Sequence, residues 1–171
     1  MAPTTITTVN MRTFQHRSTA EQLLTRISAS LPPSDWHEYA LETLWAQEKD
    51  SGTYALRNIP FYAFGLSLDD VVSARAIGNQ LIIQDVVARG GHSTYRAYLS
   101  KDVALPGVRF LKVWSPLEQI GASYEVADGR LIAIDIPAQA DIYAAYKFLE
   151  EGETAGVWDF QEGHCGHALH G

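Results

Sequence analysis

The chain has 171 residues, 46% hydrophobic and 19% charged, which excludes a disordered polymer and suits one domain with its own core. A single cysteine, Cys165, excludes an internal disulfide and points to a reducing compartment. Net charge is −7 and uneven: residues 57–112 carry seven Lys/Arg against four Asp/Glu, and residues 113–171 carry two against ten. That balance argues against a nucleic-acid partner and for either a protein partner with a basic surface or a merely solvated face.

No apolar run reaches the length that crosses a bilayer, so no membrane partner is expected. The start, Met-Ala-Pro-Thr-Thr, has neither the basic nor the apolar region of a secretory leader, and the expected location is the cytoplasm.

In chain order, Ser18 followed by Glu21 reads as a helix cap, with Leu23, Leu24 and Ile27 on one face, so a short helix is predicted over 18–30. Pro32 and Pro33 stop it, and 1–35 reads as an appendage to a single α+β domain over 36–163. Tyr39–Gln47 reads as a strand, Asp50-Ser51-Gly52 as a turn, and Thr53–Asn58 as the return. Val71–Ala76 and Leu81–Val87 flank Gly78-Asn79, a hairpin signal, and Ser93–Leu99 is a further strand entered through Gly90-Gly91. About five strands with short links predict a small bent antiparallel sheet or partial barrel.

Beyond Pro106, Val108–Trp114 fits strand or helix equally. Ser115-Pro116 reads as a helix start, with the helix ending between Gly121 and Glu125. Arg130–Ile136 is a buried strand, Asp141–Glu151 a helix closed by Gly152 and Gly156, and Val157–Glu162 the last strand. This order predicts a split α/β, ferredoxin-like layer after the barrel. Residues 164–171 read as a flexible His-rich tail.

The densest chemistry lies in Gly90-Gly91-His92-Ser93-Thr94-Tyr95-Arg96. Strand alternation puts His92, Thr94 and Arg96 on one face, with Ser93 and Tyr95 on the other. Imidazole, hydroxyl and guanidinium in a row can bind a carboxylate or phosphate, and His92 can act as a base. The same pattern also fits a structural strand entry, with Arg96 paired to Asp69, Asp70 or Asp85. His92 cannot easily serve Ser93, because adjacent strand residues point apart.

The loop Asn58-Ile59-Pro60-Phe61-Tyr62-Ala63-Phe64-Gly65 can stack on a base, anchor a protein partner, or fold back onto the core. Asp69-Asp70 is a weak cation signal and a better turn. His164, Cys165, His167 and His170 could hold zinc or nickel. They come from one segment without a second, so no metal and no cofactor are expected.

Asn58-Ile59-Pro60-Phe61-Tyr62, then Asp69-Asp70-Val71-Val72, then Gly91-His92-Ser93-Thr94-Tyr95-Arg96 resemble, in order and spacing, the bacterial domain of unknown function 4265 family. Ala133-Ile134-Asp135-Ile136-Pro137 and Trp158-Asp159-Phe160 are similar to its C-terminal half, for a reach of roughly 38–165. Asp69 departs from it, standing where the resemblance implies Gly. The resemblance implies fold and cytoplasmic residence and brings no activity.

Two functions follow. One is a non-catalytic binding protein, in its sharpest form an immunity protein that neutralises a bacterial toxin. It would meet a basic surface through Glu118, Glu125, Glu150, Glu151 and Glu153. The other is a small enzyme or small-ligand binder using His92, Thr94 and Arg96, with Tyr62 and an Asp nearby. The candidate contact residues are Asn58, Tyr62, His92, Ser93, Thr94, Arg96, Glu150 and Glu151.

Overall fold

The structure, a computed structural model, describes residues 5–7 as backbone and residues 23–127 and 129–169 throughout. The first half is a six-stranded sheet: β1 (Thr5–Thr7), β2 (Leu24–Ser30), β3 (Leu41–Asp50), β4 (Thr53–Leu56), β5 (Val71–Ile77) and β6 (Gln80–Ala88). The order is β1-β3-β2-β6-β5-β4, and β4 also pairs with β3, so the sheet bends round on itself. The β2–β6 junction is made through Ser28 and Ile82, and the result is a partly closed barrel.

The turns that bend it are written locally. Gly78, at φ 61°, supplies with Asn79 the two-residue link that places Ile77 opposite Gln80. Inside, Ile27, Leu44, Leu56, Phe61 and Val72 are buried together.

The second half runs β7 (Ser93–Leu99), α1 (Val108–Gln119), β8 (Ser123–Val126), β9 (Leu131–Ile136), α2 (Ile142–Thr154) and β10 (Trp158–His164). Its antiparallel sheet has the order β10-β7-β9-β8, so the chain is α+β with a ferredoxin-like layer, as predicted. All six residues of β9 are buried because both faces of the sheet are covered. Ile132, Ile134 and Ile136 meet Phe110, Leu117 and Leu149 on the helix side. Leu131 and Ala133 join the barrel core on the other.

Several expectations are corrected. The helix over 18–30 is not formed: Leu24–Ser30 is a strand with a seven-residue ladder to β3, and residues 18–22 lie outside the described residues. A ladder burying Ile27 and Ala29 outweighs a local cap signal, and this stretch belongs to the sheet rather than to an appendage. The helix expected from Ser115 starts at Val108, two turns earlier, and encloses Pro116. The spacing of Phe110, Trp114 and Leu117 buries one face against the sheet, which decides the ambiguous segment for helix. Gly152 does not close α2 but lies inside it, and β8 is a short edge strand that the pattern does not announce.

Candidate functional site

On β7 the alternation holds. Tyr95, Ala97 and Leu99 enter the helix-side core, while Thr94 and Arg96 face the barrel. The polar face of β7 is therefore a buried seam between the two layers rather than a wall of an open cleft. Thr94 donates its hydroxyl to Ser67 Oγ at 2.8 Å.

The aromatic loop is gripped from three sides. Asn58 accepts the N–H of Trp45 at 2.7 Å, fastening the loop to β3. The Glu42 carboxylate accepts the successive N–H groups of Phe61, Tyr62 and Ala63 at 2.6, 3.0 and 2.7 Å. Arg96 donates to the carbonyls of Tyr62 and Ala63 at 3.3 and 3.5 Å. Its guanidinium lies 4.1 Å from the Phe64 ring centre and 5.6 Å from that of Trp36. Burial pushes the Glu42 carboxyl up, against the pull of the three N–H groups and of Arg96. Burial also pulls Arg96 down.

Arg96 thus faces Glu42, not Asp69, Asp70 or Asp85 as the strand-entry reading expected. Asp69 pairs with Arg57, and buried Asp70 takes Arg89 Nη1 at 2.8 Å with the N–H groups of Ser67 and Gly90. Asp69 has φ 63°, where Gly is the least strained residue, so the Gly implied there would fit the turn.

His92 Nδ1 lies 2.8 and 3.0 Å from the two carboxylate oxygens of Asp135 on β9. The two near-equal distances fit an Nδ1 hydrogen shared between both oxygens, which an ionised carboxylate accepts. Burial raises the Asp135 carboxyl, while His92 lowers it. His92 Nε2 faces Asp69 Oδ2 at 3.7 Å.

Ser93 turns away from His92, as expected, and meets His167 Nδ1 at 2.7 Å. Its oxygen also accepts the N–H of Gly166 at 2.9 Å, and His167 Nε2 lies 3.1 Å from the Pro137 carbonyl. Ser93 is fully buried, so this hydroxyl–imidazole pair fastens the tail and offers no reachable nucleophile. Residues 164–167 are thus clasped rather than loose, Ala168 and Leu169 are exposed, and His170 lies outside the described residues.

Of the acids assigned to a partner surface, Glu118, Glu150, Glu151 and Glu153 are exposed. Glu125 is not free for a partner: it accepts the Ile59 N–H at 3.1 Å from β8. Burial pushes its carboxyl up to about 7, aided by the charges of Asp135 and Glu42 and opposed by Ile59 and Asn58. Tyr143 and Tyr146 stand half-exposed on α2 beside the three glutamates. In the loop, Phe61 and Tyr62 fold back onto the core and Phe64 stays 51% exposed.

Sequence reasoning missed Glu42, Ser67 and Asp135 as partners of the seam. Glu42 had one readable signal: it is an acid on the inward side of a strand whose neighbour Leu44 is core.

A ferredoxin-like layer laid on a partly closed barrel across a buried polar seam defines the class of fold. Residues 42–160 match the family model described as Domain of unknown function (DUF4265), and the chain belongs to that family. The fold is similar to that of a crystal structure described as a hypothetical protein from Neisseria gonorrhoeae, with TM-score 0.72 and 14% identity. That match covers 87% of this chain and 100% of the other, and shows fold alone. No curated protein matches this chain. Among the described residues, no helix is long and apolar enough to cross a membrane.

Proposed function

We propose that this is a non-catalytic binding protein of the bacterial cytoplasm, acting as an immunity protein that holds a toxin through a basic surface. The observation that carries the reading is the use of the polar residues at 92–96. Thr94 and Arg96 are buried and partnered within the seam, and Ser93 is committed to the tail. The outer face of α2 is accessible, with Tyr143, Tyr146, Glu150, Glu151 and Glu153, and with Lys147 3.9 Å from Glu151. Tyrosines supply anchoring area at low entropic cost, and carboxylates around them speed encounter with a basic partner.

A small-ligand or enzymatic reading of His92, Thr94 and Arg96 has one observation in its favour, the Asp135–His92 contact, which has the form of an oriented base. It is opposed by the burial of the other two members.

The test is capture from the native host on wild type and on the triple variant E150K/E151K/E153K, with mass spectrometry and a growth assay. A basic protein that is toxic alone, is silenced by the wild type, and binds the variant at least tenfold more weakly supports the proposal. A captured toxin indifferent to the charge reversal removes α2 from it. Turnover of a metabolite that is lost in H92A replaces it with the enzyme.

A further inference from the structure

We infer that His92 and Asp69 form a two-ligand site for a divalent transition cation of the zinc class, at the surface end of the seam. The inference starts from two lone-pair atoms that face each other. With its Nδ1 hydrogen held by Asp135, His92 presents Nε2 to Asp69 Oδ2 at 3.7 Å. Two metal–ligand bonds of ~2.1 Å at the tetrahedral angle span about 3.4 Å, a few tenths of an ångström short of this gap. The gap is therefore the size that one cation fills without rebuilding the backbone.

Each ligand also carries the outer contact that such sites use. Asp135 fixes the imidazole tautomer and orientation, and Arg57 holds the other oxygen of Asp69. Asp69 sits in a left-handed turn, and its ion pair with Arg57 places the carboxylate. The pair is reachable: the side chain of Asp69 is 42% exposed and that of His92 15%. One imidazole nitrogen with one carboxylate oxygen favours zinc-like ions over calcium or magnesium, which prefer all-oxygen shells.

Among the described residues no group of three or more His, Cys, Asp or Glu is placed to hold a metal. Solvent then completes the shell, which sets the affinity of this site well below that of a structural zinc. A proton can close the same gap by making an imidazolium–carboxylate pair, and the experiment separates the two.

Zinc chloride is titrated calorimetrically into the full chain, with near-ultraviolet circular dichroism to check folding. Wild type is expected to bind one zinc, H92Q and D69N to bind at least tenfold more weakly, and D135N to lose about 10–100-fold. D69N is the decisive variant, because Asn tolerates the left-handed backbone and leaves the seam intact. C165S/H167Q is expected to bind like wild type. Wild type without saturable binding overturns the inference and leaves a proton in the gap. Binding that survives D69N and H92Q but fails in C165S/H167Q overturns it in favour of the tail.

Discussion

Gly152 of α2 lies directly beneath the indole of Trp158, so close that a Cβ there would stand 2.2 Å from Cζ2. Trp158 is buried and donates its Nε1–H to the Leu149 carbonyl at 3.0 Å, so the same helix also fixes the ring by a hydrogen bond. Ala is the better helix former by about 1 kcal/mol, yet the contact outweighs it. G152A is expected to lose about 2–3 kcal/mol in urea unfolding by overpacking. A variant as stable as wild type would mean that the indole can move aside.

Glu42 faces three N–H donors with two carboxylate oxygens. A glutamine retains one acceptor oxygen and turns an amide toward a donor, and it leaves Arg96 without its buried counter-charge. E42Q should cost about 2–4 kcal/mol in urea unfolding. The double variant E42Q/R96M should cost clearly less than the sum of the single changes. Strict additivity would show that the two side chains do not share the seam.

Glu125 sets a pH dependence. Its carboxyl is held at about 7 against an ordinary 4.5, so the folded chain binds this proton more tightly than the unfolded chain. Its contribution is fully present below pH 4.5 and is lost as pH rises through about 7. At ~1.4 kcal/mol per unit over the rise from 4.5 to about 7, the loss is on the order of 3–4 kcal/mol. E125Q keeps an acceptor for Ile59 without the charge. Denaturant midpoints at pH 5 and pH 8 should lie closer together in E125Q, with the variant more stable than wild type at pH 8. Parallel pH profiles for the two proteins would count against the assignment.

The Ser93 clasp predicts where the tail loosens. S93A removes the acceptor for the Gly166 N–H and the partner of His167 Nδ1. Hydrogen exchange across residues 164–167 should quicken about tenfold, consistent with loss of roughly 1–2 kcal/mol locally. Exchange in α2 should be unchanged. Unaltered protection in the tail would show that Cys165 and its neighbours hold it without Ser93.

Much of this was written in the chain. Period-two alternation set which side chains of 92–96 share a face, because a strand's side chains alternate whatever it pairs with. Gly78-Asn79 and Asp50-Ser51-Gly52 determined two turns through local backbone freedom. Asp141 capped α2 through the N–H groups of Tyr143 and Ala144, and the Leu-Ile-Ala-Ile run marked a strand covered on both faces.

What the tertiary structure decided was every contact between residues far apart in the chain. It drew Leu24–Ser30 into a sheet against its own cap signal. It began α1 at Val108, because Phe110 needed a wall to bury against. It set Asp135 on His92, Glu42 under Phe61 and His167 on Ser93, pairs separated by 43, 19 and 74 positions. Local propensity and periodicity are properties of neighbouring residues, and no window on the chain contains both members of such a pair. A polar row that reads as a reactive face thus became a seam, because the fold supplied the partners that bury it.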